Sequence, residues 1–142
     1  MPTLKPYHLF ISHAWSYGDQ YNSIINLLDN ASNFTYYNYS APSDNPLKNT
    51  DGSDATNAIQ IESSIYRKIE RSNCVIVIAG MYAIHRKWMG IEIAIAVKLK
   101  KPIIALYPRG NKVMPLDIVN VSKACVSWNT DSIVSAIRQY SI

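Results

Sequence analysis

Four short stretches of this chain are apolar at every position or nearly so, and they constrain the fold more than any other feature. They are Tyr7 to Ser12 (YHLFIS), Cys74 to Ala79 (CVIVIA), Pro102 to Tyr107 (PIIALY) and Ala124 to Trp128 (ACVSW). Strands that alternate apolar and polar residues keep one face in water, whereas strands that do not alternate are covered on both faces, as in a parallel sheet flanked by helices. A fifth run, Phe34 to Tyr39 (FTYYNY), has the aromatic and β-branched content of a strand but is more polar. Between the runs lie residues at helical spacing: Tyr21, Ile24, Ile25 and Leu28, then Ala58, Ile61, Ile65 and Ile69, and finally Ile133, Ala136, Ile137 and Tyr140. Thr56 and Thr130 are placed to cap two of these helices, and Arg67, Lys68 and Arg71 crowd the end of the second, where cations complement the helix dipole. Alternation of strand and helix implies an α/β protein. The expected fold is a single doubly wound, mainly parallel five-stranded sheet in the flavodoxin-like order 2-1-3-4-5, with residues 1–142 forming one domain. A length of 142 residues suits one core.

Two segments depart from this pattern. Trp88 to Leu99 (WMGIEIAIAVKL) is apolar nearly all round apart from Glu92 and Lys98, so a mostly buried helix is expected there. Ser40 to Ala55 (SAPSDNPLKNTDGSDA) is rich in Pro, Asn, Asp, Ser and Gly and is longer than an ordinary α/β connection, a length associated with functional loops or with disorder.

The net charge of +4 arises from 14 Lys and Arg against 10 Asp and Glu, scattered along the chain. Its densest cluster, Lys98 to Lys101, falls at the end of the apolar helix and reads as a solvated C-terminus, so no nucleic-acid partner is expected. A modest positive field still suits an anionic ligand. The opening MPTLKPYHLFISHAW has neither an apolar region of signal-peptide length nor a small-residue cleavage site, and no apolar run approaches the roughly 20 residues that span a bilayer. A cytoplasmic location and no membrane partner are the expectation. Cys74 and Cys125 sit in strands separated by the fourth in the expected order, nearly 10 Å apart and beyond disulfide reach. No metal site is expected from them.

In an open α/β sheet, ligands bind beyond the carboxyl ends of the strands where the order reverses. In the order 2-1-3-4-5 that point lies between strands one and three, so the loops after Ser12 and after Ala79 frame the crevice. Ser12, His13, Ala14 and Trp15 stand at the first edge. The helix carrying Trp88 and Glu92 follows the second, and four-residue spacing makes those two neighbours on one helix face. A Glu in an apolar helix costs stability unless paired or near solvent. Two readings stay equally open from periodicity: a carboxylate with a chemical task, or one bonded to backbone amides or to an Arg such as Arg86. Ser12 and His13 stand between ligand contact and local cap; Asp44 and Asn45 precede Pro46 as a turn would require; Arg109 suits a solvated turn.

FISHAW at the first strand, the polar loop SAPSDNP, CVIVIAG at the third strand and above all RKWMGIEIAIAVKLKKPIIAL resemble the bacterial TIR-like domains of Thoeris anti-phage defence, over almost the whole chain. The resemblance implies cleavage of the nicotinamide glycosidic bond of NAD, which serves as substrate with no further cofactor. It implies that Glu92 matches the catalytic glutamate and that Phe10, Ser12, His13, Asp44 and Asn45 lie near the bound nucleotide, while Tyr82 and Trp88 are placed to wall the site. It also implies a cyclic ADP-ribose isomer as product, a separate effector protein that answers to it, and homo-oligomers in which the Ser40 to Ala55 loop of a neighbour completes the site. Other readings are a non-enzymatic TIR interaction module and a nucleoside 2-deoxyribosyltransferase-like enzyme. A response-regulator receiver fits poorly, because its acidic cluster, phospho-acceptor and lysine positions hold Ser12 and His13, Gly80 and Trp128.

Overall fold

The computed structural model describes residues 6–13, 18–40, 57–82, 85–107 and 113–142. Five strands and five helices alternate: β1 (Tyr7–Ser12), α1 (Asp19–Asp29), β2 (Tyr36–Asn38), α2 (Ala58–Glu70), β3 (Cys74–Ile78), α3 (Arg86–Lys98), β4 (Ile103–Leu106), α4 (Leu116–Val121), β5 (Ala124–Val126) and α5 (Thr130–Tyr140). The strands form one sheet in the order β2-β1-β3-β4-β5, and every pairing is parallel. This is the α/β class and strand order that the sequence implies.

The central strands explain their own composition. Every residue of β3 and β4 is buried, as are Leu9, Phe10, Ile11 and Ser12 of β1, because helices cover both faces. The edge strands β2 and β5 are only three residues long and half-covered, shorter than the runs Phe34 to Tyr39 and Ala124 to Trp128. Short edges offer little backbone for another chain to pair with. The carboxamide of Asn73 ties the start of the sheet together: its Oδ1 accepts from the His8 amide at 2.9 Å and its Nδ2 donates to the Ile142 carbonyl at 2.8 Å.

Three local expectations need correction. The α2 cap is Asn57, whose Oδ1 accepts from the Gln60 amide at 3.1 Å, and the α5 cap is Asn129, which takes the Ser132 amide at 2.8 Å. Thr130 is instead the first helical residue and donates to the Leu27 carbonyl at 3.2 Å; Asn simply ranks above Thr as a cap. Thr56 lies outside the described residues. The helix α4 has no counterpart in the sequence pattern, because its six residues bury only Ile118 and are too few to show a period.

The third correction concerns α3, which is not mostly buried. Met89, Glu92 and Ala96 are sealed, while Val97 is 48% exposed and Ile93, Ile95 and Leu99 are half-buried. An apolar helix laid on one face of a sheet and flanked by α2 keeps an outer surface in water whatever its composition. It ends in a Schellman turn: the Lys101 amide bonds the Ala96 carbonyl at 2.9 Å and the Lys100 amide bonds Val97 at 3.1 Å, with Lys100 in the left-handed region at φ 57°.

The cysteines follow the strand order. Cys74 on β3 and Cys125 on β5 are separated by β4, and both are free. Burial pushes the Cys74 thiol up to about 12.

Candidate functional site

The switch point of the sheet lies between β1 and β3, where the chain leaves β1 toward one face and β3 toward the other. Alternation along β1 sends Leu9 and Ile11 to one face and Phe10 and Ser12 to the face on which α3 packs. Ser12 and Glu92 therefore meet. The Ser12 hydroxyl donates to Glu92 Oε1 at 2.9 Å, and both residues are fully buried. A hydrogen bond of this kind offsets part of the cost of burying a carboxyl group in an apolar helix. The Arg86 guanidinium, a candidate partner for Glu92 in the sequence, instead lies over the Tyr82 ring, 4.9 Å from its centre.

After β3 the chain makes a tight 3-10 turn over Ala79–Met81 that carries Gly80 against α1. A Cβ at Gly80 would stand 2.6 Å from Gln20 Oε1, so glycine permits this close approach. Gln20 Oε1 is buried and makes no hydrogen bond within the described residues. A carboxamide thus stands at the wall of the crevice, a position with no periodic or motif signal in the sequence.

The α3 amino terminus comes shortly after the turn that follows β3. His85 is its N-cap but supplies no side-chain cap, and the first turn holds no acid. Arg86 and Lys87 follow instead, with the Lys87 ammonium 5.4 Å from the Trp88 ring centre. Cations at a helix start oppose the dipole, so the helix gains nothing locally from them. Together with the helix dipole they make this end of α3 positive, an arrangement suited to phosphate groups.

His13 ends β1 in a different manner. It is fully buried, Nδ1 donates to the Ile11 carbonyl at 2.6 Å, and the ring stacks on Tyr21 at 4.3 Å. Its pKa is lowered to about 4, first by burial and further by nearby His85, against the raising effect of the Ile11 carbonyl. At neutral pH the ring is uncharged, so its contribution is shape and hydrogen bonding. Beyond it, Asn38, Ser40 and Tyr21 form a network that the sequence pattern does not reveal. Ser40 Oγ donates to Asn38 Oδ1 at 2.6 Å and accepts from the Ile11 amide at 3.2 Å, and Asn38 Nδ2 donates to the Tyr21 hydroxyl at 2.7 Å. The network pins the start of the polar loop to β1.

Of the residues singled out from sequence, Ser12 and Glu92 are brought into contact, and Tyr82 and Trp88 stand at the beginning of α3 on the same side. Tyr82 is buried, and Trp88 is half-buried one turn before Glu92. Phe10 is sealed in the core beneath Ser12. Asp44, Asn45 and Arg109 lie outside the described residues. Among the described residues no group of three or more His, Cys, Asp or Glu is placed to hold a metal ion, and no helix is long and apolar enough to cross a membrane.

Comparison with known proteins bears on this architecture. No curated protein matches the chain. A conserved protein from Enterococcus faecalis V583, known from its crystal structure, superposes with a TM-score of 0.61 over 95% of this chain and 99% of its own, at 15% identity, and is therefore similar in fold alone. The family described as "Thoeris protein ThsB, TIR-like domain" matches residues 10–113, which include the end of β1, the polar loop, β3 and the whole of α3. The chain belongs to the TIR-like domain family of the Thoeris protein ThsB.

Proposed function

We propose that this chain cleaves the nicotinamide glycosidic bond of NAD at Glu92 and closes the ADP-ribosyl product into a cyclic ADP-ribose isomer. The observation that carries the reading is the fully buried Glu92 carboxylate, fixed by Ser12 at the switch point of the sheet. One carboxylate suffices for this chemistry. When the bond from ribose C1′ to the pyridinium nitrogen breaks, the electron pair goes to nitrogen, and nicotinamide departs neutral without a general acid. An ordinary glycosidase needs a second carboxyl group to protonate its leaving oxygen.

The developing positive charge on the ribose ring is what Glu92 stabilises, and a carboxylate shielded from water does so more strongly than one in solution. A hydroxyl of the nicotinamide ribose is the natural hydrogen-bond partner for the carboxylate. The positive start of α3, with Arg86 and Lys87, faces the pyrophosphate, while Trp88 and Tyr82 wall the ring. The cation at C1′ is then captured by water with loss of a proton, giving ADP-ribose, or by a nitrogen or hydroxyl of the same molecule, giving the cyclic product. That product acts on a separate effector protein, and a cytoplasmic NAD pool supplies the substrate.

The test is incubation with NAD, with and without extract of phage-infected cells, followed by chromatography for nicotinamide and a cyclic product. Wild-type protein releases nicotinamide and Glu92→Gln does not. Equal cleavage by the Gln variant overturns the assignment to Glu92; failure of the wild type under both conditions supports a non-enzymatic module; activity confined to deoxynucleosides supports a deoxyribosyl transferase.

A further inference from the structure

A second site lies at the opposite end of α2. There Arg67, Lys68 and Arg71 line a groove of about 390 Å³ together with Ser64 and the Tyr39 hydroxyl. Ser64, Arg67 or Lys68, and Arg71 follow each other at spacings of three and four, so they form one stripe of the helix. Basic residues in a last turn are ordinarily accounted for by the helix dipole. Here the three cations do not simply fan into water; they converge on a concavity whose far wall belongs to another element, the end of β2. Among the described residues no carboxylate lines this groove: Glu62 faces a neighbouring groove with Lys98, which Arg67 also borders, and Glu70 is not among the lining residues of either.

The far wall is built, too. Tyr39 hydroxyl is within 2.6 Å of His8 Nδ1, and the two rings are stacked at 5.6 Å. The His8 ring is also 5.1 Å from that of Tyr37, which is 55% exposed. Parallel register pairs His8 with Tyr37, and two-residue alternation puts Tyr37 and Tyr39 on the same face of the sheet. An exposed aromatic ring therefore stands next to His8, one ring away from Tyr39, near a groove whose described lining carries three cations. The groove volume falls within the range of small-ligand sites.

We propose that this groove binds a small nucleoside phosphate, with the phosphoryl oxygens held by Arg67, Lys68 and Arg71 and the base against Tyr37. Arginine's planar fork matches a phosphoryl group with two parallel bonds, Lys68 adds a point charge, and the Ser64 hydroxyl supplies a further donor. A flat aromatic face near the groove favours a ligand carrying a ring over a bare anion. A concave groove with a handful of cations, in a chain whose net charge is only +4, favours a small ligand over a nucleic-acid strand. The groove lies near the amino ends of β1 and β3, away from the Glu92 crevice at their carboxyl ends, so it stands or falls independently of NAD cleavage.

The experiment is a titration of the ¹⁵N-labelled full chain, at about 150 mM salt, with AMP, with inorganic phosphate and with a twelve-nucleotide single strand, followed by amide and arginine Nε–H signals. AMP is expected to shift Arg67, Arg71, Tyr37 and Tyr39 saturably, and phosphate to shift the arginines alone and at higher concentration. Arg67→Ala with Arg71→Ala should weaken AMP at least tenfold, and Tyr37→Ala should remove the preference of AMP over phosphate. Both sets change exposed side chains, and unaltered spectra elsewhere verify the fold. Shifts confined to the Glu92 crevice, equal AMP affinity in the arginine variant, or a strand that binds at least tenfold more tightly than AMP each overturn the proposal.

Discussion

Replacing Glu92 by Gln separates a residue kept for chemistry from one kept for architecture. The carboxylate is fully buried, and an ion in that position carries a desolvation cost of several kcal/mol after relaxation. Ser12 offsets part of this through a bond to a charged acceptor, worth about 1.5–3 kcal/mol. Glutamine keeps the shape and an oxygen to accept from Ser12, though that bond drops to about 1 kcal/mol, and the ionic desolvation cost disappears. The balance is a gain of about 1–3 kcal/mol. For a chain of 142 residues, at about 4 °C per kcal/mol, this corresponds to a rise in Tm of about 4–12 °C. Differential scanning calorimetry on the two proteins at neutral pH reads the shift, and nicotinamide release measured on the same samples should vanish. Stability gained where function is lost is the signature of a strained functional group. An unchanged or lowered Tm refutes the reasoning, because the carboxyl would then be neutral already or would be part of what holds α3 to β1.

Ser12→Ala removes the donor to Glu92, and loss of about 1.5–3 kcal/mol predicts a fall in kcat/KM of about 10- to 150-fold, which steady-state assays check. His13, at about 4 in the folded state against 6.5 unfolded, stays neutral in the native protein while the unfolded chain takes up a proton. Its contribution to stability is present above pH 6.5 and is lost as pH falls toward 4, about 3 kcal/mol in all, and urea unfolding of His13→Gln should lack that slope between pH 6.5 and 4. Gly80→Ala forces the mobile end of Gln20 out of the crevice wall, so KM should change while the melting temperature moves little. Lys100→Gly relieves a left-handed residue at the end of α3 and should stabilise the chain by about 0.5–1 kcal/mol, measured as a shift in the urea midpoint without a change in slope.

The central sheet was legible because burial on two faces writes itself as unbroken apolar runs; β3 and β4 appear in the sequence almost as they stand in the fold. Glu92 was legible for the opposite reason, as the one acid in an apolar helix. Its partner was less so. Ser12 is identified by its place at the end of β1, but its bond to a residue 80 positions away follows from topology rather than local pattern. Gln20, Ser40 and Asn38 left no trace, since a polar residue at a helix start or strand end is ordinary in composition, and only folding reveals that its neighbours are buried. The over-reading of α3 has the same root. Apolar periodicity reports which residues avoid water, and it cannot say how many neighbours the fold supplies to cover them.

The bond between Ser12 and Glu92 joins the first strand to the third helix across 80 residues. No fragment made of neighbouring elements contains it. The pairing comes into existence only when β1 and α3 have docked on the same sheet, so a chain that has not folded that far lacks its geometry whatever residues it carries. The geometry of the candidate site is thus a property of the completed sheet and not of any one segment of the chain.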